Sequence, residues 1–141
     1  YFDIISKNLI VRPGQSVHFE PGRAIVAQCG TLISRVLYVK KGKGIKFAIL
    51  DAGMNDLIRP ALYHAHHKID NLTSTGRRLK YDVVGPVCES SDFWDKKIVL
   101  PETSRGDLIA IRSAGAYGQV MGMRYNQRDL AKAYYSDDLK K

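Results

Sequence analysis

From Thr31 onward the chain runs as short segments rich in β-branched and aromatic residues, each closed by a turn signal, and this spacing leaves room for little besides a mainly β fold. Residues 32–40 form the first such segment. The KKGKG at 40–44 supplies a turn, beyond which Ile45, Phe47 and Ile49 alternate with Lys46, Ala48 and Leu50, so a hairpin is predicted. Further strands are predicted over 66–72, 81–88, 98–100 and 107–113, separated by turn-rich stretches at 74–78 and 101–106. Short strands at this spacing predict a largely antiparallel Greek-key β-sandwich or barrel.

The first thirty residues have a different character. Phe2, Ile5 and Leu9 share one helical face and predict a helix over 1–9, followed by a turn at Arg12, Pro13 and Gly14 and a short strand over 16–19. Pro21 suits a first helical position and Gly30 a helix stop, which predicts a short helix over 21–29 whose free amides face back toward Glu20. Helix starts of this kind attract anions. Helix, turn and strand make an α/β unit, so residues 1–30 are expected to be the tail of something α/β, entered inside an element, and residues 31–141 a β domain.

The 141 residues, 45% hydrophobic and 26% charged, suffice for one core, which excludes intrinsic disorder. No window approaches the roughly 20 apolar residues of a membrane-spanning helix, and no membrane partner is expected. Cys29 and Cys88 are too few for a disulfide framework or a four-cysteine zinc site, and suit a reducing, cytoplasmic compartment. The net charge of +8 favours anionic partners. The basic residues, however, fall in small groups beside turns (Lys40, Lys41, Lys43 and Lys46; Arg77, Arg78 and Lys80; Lys96 and Lys97) rather than along one stripe. A basic all-β nucleic-acid module is therefore the weaker alternative, since the aromatics lie mostly in apolar runs instead of interleaving with the cations.

Several polar constellations stand in apolar settings. Glu20-Pro21-Gly22-Arg23 lies between the predicted strand and helix, where a Glu and an Arg either pair with each other or hold a ligand. In residues 51–63, DAGMNDLIRPALY, Arg59 and Tyr63 have i, i+4 spacing, which suits either a carboxylate clamp or a surface Arg stacked on a Tyr. Cys88 and Glu89 stand side by side where a strand ends, and Tyr117 is flanked by small residues that let backbone approach a ligand closely or make a tight turn. His64, His66 and His67 lack the i, i+4 spacing of a helical zinc pair, and no metal site is expected.

Taken in order, HFEPGRAIVAQCG, FAILDAGMNDLIRPALY, YDVVGPVCESSD, LPETSRGDLIAIRSAGAYG and the RYN at 124–126 resemble the diaminopimelate decarboxylase family from His18 to Asn126. That family is one of pyridoxal phosphate enzymes similar in fold to alanine racemase and eukaryotic ornithine decarboxylase. The resemblance implies an N-terminal (β/α)8 barrel bearing the cofactor lysine, followed by a C-terminal β domain, so that residues 1–30 would be the residual end of a truncated α/β barrel and residues 31–141 the C-terminal β domain. It implies conversion of meso-2,6-diaminopimelate to L-lysine and carbon dioxide in lysine biosynthesis. The lysine and the glycine-rich phosphate loop would lie in the barrel, so no lysine here takes that part and this stretch alone is expected to be inactive.

Carried over residue by residue, the resemblance gives Arg23, Arg59 and Tyr63 to substrate binding, Glu89 to the distal ammonium, Cys88 to protonation of the α-carbon, and Tyr117 to both cofactor and substrate. Glu20, Pro21, Gly22 and Arg23 would line the cofactor side. Cys88 and Glu89 would reach into a partner's site, which implies a homodimer with shared active sites. Rivals of the same fold are decarboxylases of arginine, ornithine or carboxynorspermidine; the CES at 88–90 and the MNDLIRP at 54–60 favour diaminopimelate.

Overall fold

Gly42 donates its N–H to the Ile45 carbonyl at 2.8 Å and Gly44 takes φ 76°, so KKGKG closes as the predicted turn. The structure, a computed structural model, describes residues 1–138. The turn joins β1 (Thr31–Lys41) to β2 (Lys46–Leu50), paired antiparallel, and the remaining strands are β3 (Ile69–Asn71), β4 (Arg78–Val84), β5 (Phe93–Pro101) and β6 (Leu108–Arg112). Together they form one six-stranded sheet in the order β3-β6-β1-β2-β4-β5.

The edge strands β3 and β5 also meet, so the sheet curls toward closure as a barrel rather than facing a second sheet. Curling encloses Val36, Leu50, Tyr81, Val83, Trp94, Ile109 and Ile111 in one core. In β2 it is Ala48 and Leu50 that are buried while Phe47 and Ile49 are half-buried. All three central residues of β6, Ile109 to Ile111, are buried, as befits an interior strand covered on both faces.

The predicted antiparallel pattern needs one amendment: β2 and β4 run parallel, Phe47 opposite Asp82 and Ile49 opposite Val84. The connection between them is long enough for a crossover, since it contains the helix α2 (Arg59–Tyr63) and β3. The strand predicted over 81–88 is displaced to Arg78–Val84, because Gly85-Pro86 ends the ladder, and the one predicted over 66–72 keeps only its centre.

The N-terminal expectations fare unevenly. A helix, α1, spans Phe2–Asn8, and Gln15 N–H bonds to the Arg12 carbonyl across the predicted turn. Residues 16–19 form no strand, for among the described residues they have no ladder partner; Phe19 packs edge-on against Phe2 and Tyr1 instead. The helix predicted over 21–29 is two 3₁₀ turns, Gly22–Ile25 and Ala27–Cys29, broken at Val26 with φ −122°.

Candidate active site

α2 begins with Pro60 in its first turn and stops at His64, which takes the left-handed φ of 53°. One turn of helix is enough to put Arg59 and Tyr63 on the same face, with the guanidinium carbon 5.1 Å from the Tyr63 ring centre. The same guanidinium lies 5.9 Å from the ring of Tyr117, which arrives from the turn after β6. Two aromatic rings thus flank one cation.

That turn is held against the 3₁₀ segment bearing Arg23. Ala114 N–H donates to the Gly30 carbonyl at 2.9 Å and Gly115 N–H to the Ala27 carbonyl at 3.0 Å. A Cβ on Gly30 would overlap the Gly115 backbone, so the small residues serve approach of chain to chain here. Arg23 Nη2 then reaches the Ser113 carbonyl at 3.2 Å. Both Ser113 and Tyr117 hold left-handed backbone, φ 59° and 61°, which non-glycine residues keep only where surroundings enforce it.

His67 joins the cluster although its residue pattern gave no role for it. It is 3% exposed, and its Nδ1 faces the Arg112 carbonyl at 2.8 Å; a carbonyl only accepts, so Nδ1 carries the proton and Nε2 presents a lone pair. Burial pushes the His67 pKa below its usual value, and the positive charges of Arg23 and Arg59 push the same way, outweighing the carbonyl that favours protonation. Three buried side-chain nitrogens of this group, Arg23 Nε, Arg59 Nε and His67 Nε2, have no hydrogen-bond partner among the described residues. Buried polar atoms are rarely left so, and here two donors and an acceptor are gathered at one place. In the sequence His67 is one of a cluster of three histidines and falls inside the strand predicted over 66–72, and no spacing rule selects it; in the structure it lies two residues before β3.

Other predicted residues stand apart. Glu20 is exposed and makes no ion pair with Arg23 among the described residues, so the salt-bridge reading of that motif fails. Pro21 caps the first 3₁₀ turn and Gly22 opens it with φ 55°, placing Arg23 one residue on; a four-residue turn carries little of a helix dipole. Cys88 and Glu89 are exposed on the loop between β4 and β5, and no hydrogen bond, ion pair or ring contact joins them to the Arg59 cluster among the described residues. His66 faces Asp95 at 3.2 Å, a different partner from that of His67.

A curled six-stranded sheet with an Arg and Tyr cluster at the junction of its N-terminal segment defines a class, and residues 6–115 match the family model described as pyridoxal-dependent decarboxylase, C-terminal sheet domain; the chain belongs to this family. It is 61% identical over 139 residues to diaminopimelate decarboxylase of Bacteroides thetaiotaomicron, covering 99% of this chain and 36% of that protein. The crystal structure of diaminopimelate decarboxylase from Helicobacter pylori complexed with L-lysine is similar with TM-score 0.72 and 54% identity, over 79% of this chain and 28% of that one. The lysine/ornithine decarboxylase of Vibrio vulnificus complexed with cadaverine has the same TM-score, 0.72, at 27% identity, over 79% and 30% of the two chains. The chain thus spans about a third of the length of the relatives it matches. No helix among the described residues is long and apolar enough to cross a membrane.

Proposed function

We propose that this chain is the C-terminal part of a pyridoxal phosphate-dependent diaminopimelate decarboxylase that forms L-lysine and carbon dioxide from meso-2,6-diaminopimelate. The observation that carries the reading is the group of buried nitrogens on Arg23, Arg59 and His67 that have no hydrogen-bond partner among the described residues, with Arg59 beside the rings of Tyr63 and Tyr117. Two guanidinium groups without a carboxylate of their own among the described residues suit a ligand with several anionic groups, and both the substrate and the cofactor phosphate are of that kind. The identity of 61% with a protein of that name favours diaminopimelate over ornithine or lysine, whose decarboxylase matches at 27%.

On this reading the chain's residues bind, orient and protonate. Arg23 and Arg59 hold a carboxylate in their planar forks, with Tyr63 on the flank of Arg59, and Glu89 accepts the distal ammonium. Cys88 delivers a proton from Sγ to the α-carbon after carbon dioxide has left. Arg23 and Tyr117, with Glu20, Pro21 and Gly22 alongside, would hold the cofactor, which when bound supplies the electron-withdrawing ring that takes up the electron pair. Cys88 and Glu89 are exposed and apart from the Arg59 cluster, which suits a homodimer in which they serve the other protomer's site. Residues 1–30 are then the end of the barrel and 31–141 the sheet domain, in a cytoplasmic enzyme with two free thiols and no nucleic-acid partner.

The test is steady-state decarboxylation by the full-length enzyme with meso-diaminopimelate, ornithine, arginine and lysine side by side. Glu89→Gln should lower kcat/KM for diaminopimelate by about tenfold to a hundredfold or more, the worth of a charged hydrogen bond, while pyridoxal phosphate affinity stays nearly unchanged. Preference for ornithine or arginine would transfer the chain to the rival decarboxylases. The isolated chain with added cofactor should release no carbon dioxide.

A further inference from the structure

The loop bearing Cys88 and Glu89 is fastened by a buried side chain that none of these roles uses. Asp92 is 6% exposed, and its two carboxylate oxygens take different partners: Oδ1 accepts the Met54 amide at 2.7 Å and Oδ2 the Val87 amide at 2.7 Å. Its backbone closes the same loop, the Asp92 N–H donating to the Glu89 carbonyl at 3.0 Å and its carbonyl accepting the Gly85 N–H at 3.0 Å. Ser91 Oγ lies 3.6 Å from Met54 Sδ, a second link between the two loops.

Two glycines make room for the carboxylate. A Cβ on Gly85 would overlap it, and a Cβ on Gly53 would lie 3.1 Å from Oδ2 and 3.0 Å from Pro86 Cδ. Burial raises the Asp92 pKa; the Val87 and Met54 amides and the charge of Arg128 pull it down, and Asp56 pushes it up. A carboxylate in such a place is retained at a desolvation cost, which short bonds to backbone amides offset. Apolar filler would cost less, so the geometry has to be its product.

We infer that Asp92 is a positioning residue for the active site: its carboxylate joins the loop carrying Cys88 and Glu89 to the loop that leads from Met54 into Arg59 and α2. The inference rests on the proposed roles of Cys88 and Glu89. It predicts that loss of the carboxylate displaces both loops together, because each is bonded to one of its oxygens. An amide in its place keeps one acceptor oxygen and sets an NH2 against the other backbone N–H, a repulsive contact.

The experiment is steady-state kinetics of Asp92→Asn in the full-length holoenzyme, per folded dimer, beside Cys88→Ala and Glu89→Gln. Asp92→Asn should reduce kcat/KM for diaminopimelate by about tenfold to a hundredfold, with kcat falling and KM rising, while pyridoxal phosphate affinity changes less than about threefold. A purely structural role would shift thermal stability and leave both constants of the folded enzyme as they are. Normal constants for Asp92→Asn with impaired Cys88→Ala and Glu89→Gln would overturn the inference alone. Normal turnover by both of the latter would overturn the site assignment and this inference with it. If Asp92→Asn does not fold, hydrogen exchange of the wild-type holoenzyme decides: the Met54 and Val87 amides, though outside any strand, should be protected about a hundredfold or more over free loop amides. Exchange at the free-loop rate overturns the latch.

Discussion

The guanidinium carbon of Arg59 stands 5.1 Å from the ring centre of Tyr63, one helical turn further along α2. The pair is a half-open clamp, since Tyr117 also borders the cation at 5.9 Å while Arg59 Nε stays buried without a partner among the described residues. An Arg stacked on exposed rings contributes only about 0.5–1 kcal/mol to stability, so the arrangement has little structural value to lose. Arg59→Lys keeps the charge but not the fork. It should cost at least about tenfold in kcat/KM for diaminopimelate in the full-length enzyme while leaving the melting temperature within a few degrees. Kinetics and a thermal melt of the same preparation check this, and unchanged kinetics would show that the clamp holds no carboxylate.

His67 predicts a pH dependence with a definite sign. Its pKa is lowered by burial and by Arg23 and Arg59, so the folded protein holds it neutral while the unfolded chain, with a pKa near 6.5, binds a proton first as the pH falls. The stability it contributes is therefore complete above about pH 6.5 and is lost progressively below it, toward the folded-state pKa. Asp56 and Asp92, raised by burial, have the opposite slope, losing stability as pH rises from about 3.8 through their folded values. Comparison of the native protein with His67→Gln isolates the histidine. Between pH 7 and 5 the native protein should lose more stability than the variant, measured by denaturant titration at each pH; parallel curves would place His67 outside the linkage.

Tyr81 offers a test of the core alone. It is 1% exposed, and its hydroxyl accepts the Thr103 amide at 3.0 Å, a bond that ties the segment just after β5 to β4 from inside. Tyr81→Phe removes the acceptor and leaves a buried N–H unpaired, which costs about 1–3 kcal/mol. The unfolding midpoint should fall by several degrees with no change in substrate KM, measured by thermal denaturation and kinetics on one sample.

How far the sequence reached follows from the range of the forces involved. The hairpin at KKGKG and the face shared by Arg59 and Tyr63 depend on neighbours within a few residues, and both are legible from spacing. The strand expected over 16–19 is absent because alternation says nothing about whether a partner edge is present, and Val17 and Phe19 are exposed. His67 and Asp92 escaped because what matters in each is a ring N–H or a carboxylate aimed at backbone 45 and 38 residues away, at the Arg112 carbonyl and the Met54 amide. The parallel pairing of β2 with β4 is likewise a property of the crossover and not of either strand's pattern. Resemblance supplied the roles of Cys88 and Glu89, for nothing about an exposed loop thiol and carboxylate selects them.

The junction of Gly30 and Gly115 carries the last prediction. Arg23 and Tyr117 belong to segments nearly a hundred residues apart in sequence, and the two backbones meet where neither has a side chain. A Cβ on Gly115 would overlap the Val26 carbonyl and lie 2.7 Å from Gly30 N and 2.9 Å from Cys29 Sγ, so Gly115→Ala must push the segments apart. The obstacle is backbone on both sides, which cannot swing away as a long side chain can. Separation stretches the bonds from Ala114 to Gly30 and from Gly115 to Ala27, and draws Arg23 from the Ser113 carbonyl. Overpacking of this kind costs about 1–3 kcal/mol. Because Arg23 and Tyr117 sit on the displaced parts, the loss should extend beyond stability: pyridoxal phosphate affinity of the full-length enzyme should fall at least about tenfold, whereas Tyr81→Phe, equally destabilising, should leave it unchanged. Cofactor titration by absorbance on both variants, at a temperature where each is fully folded, separates the two effects. Equal cofactor affinity in Gly115→Ala and the native enzyme would show that the junction only stabilises the fold and does not set the site.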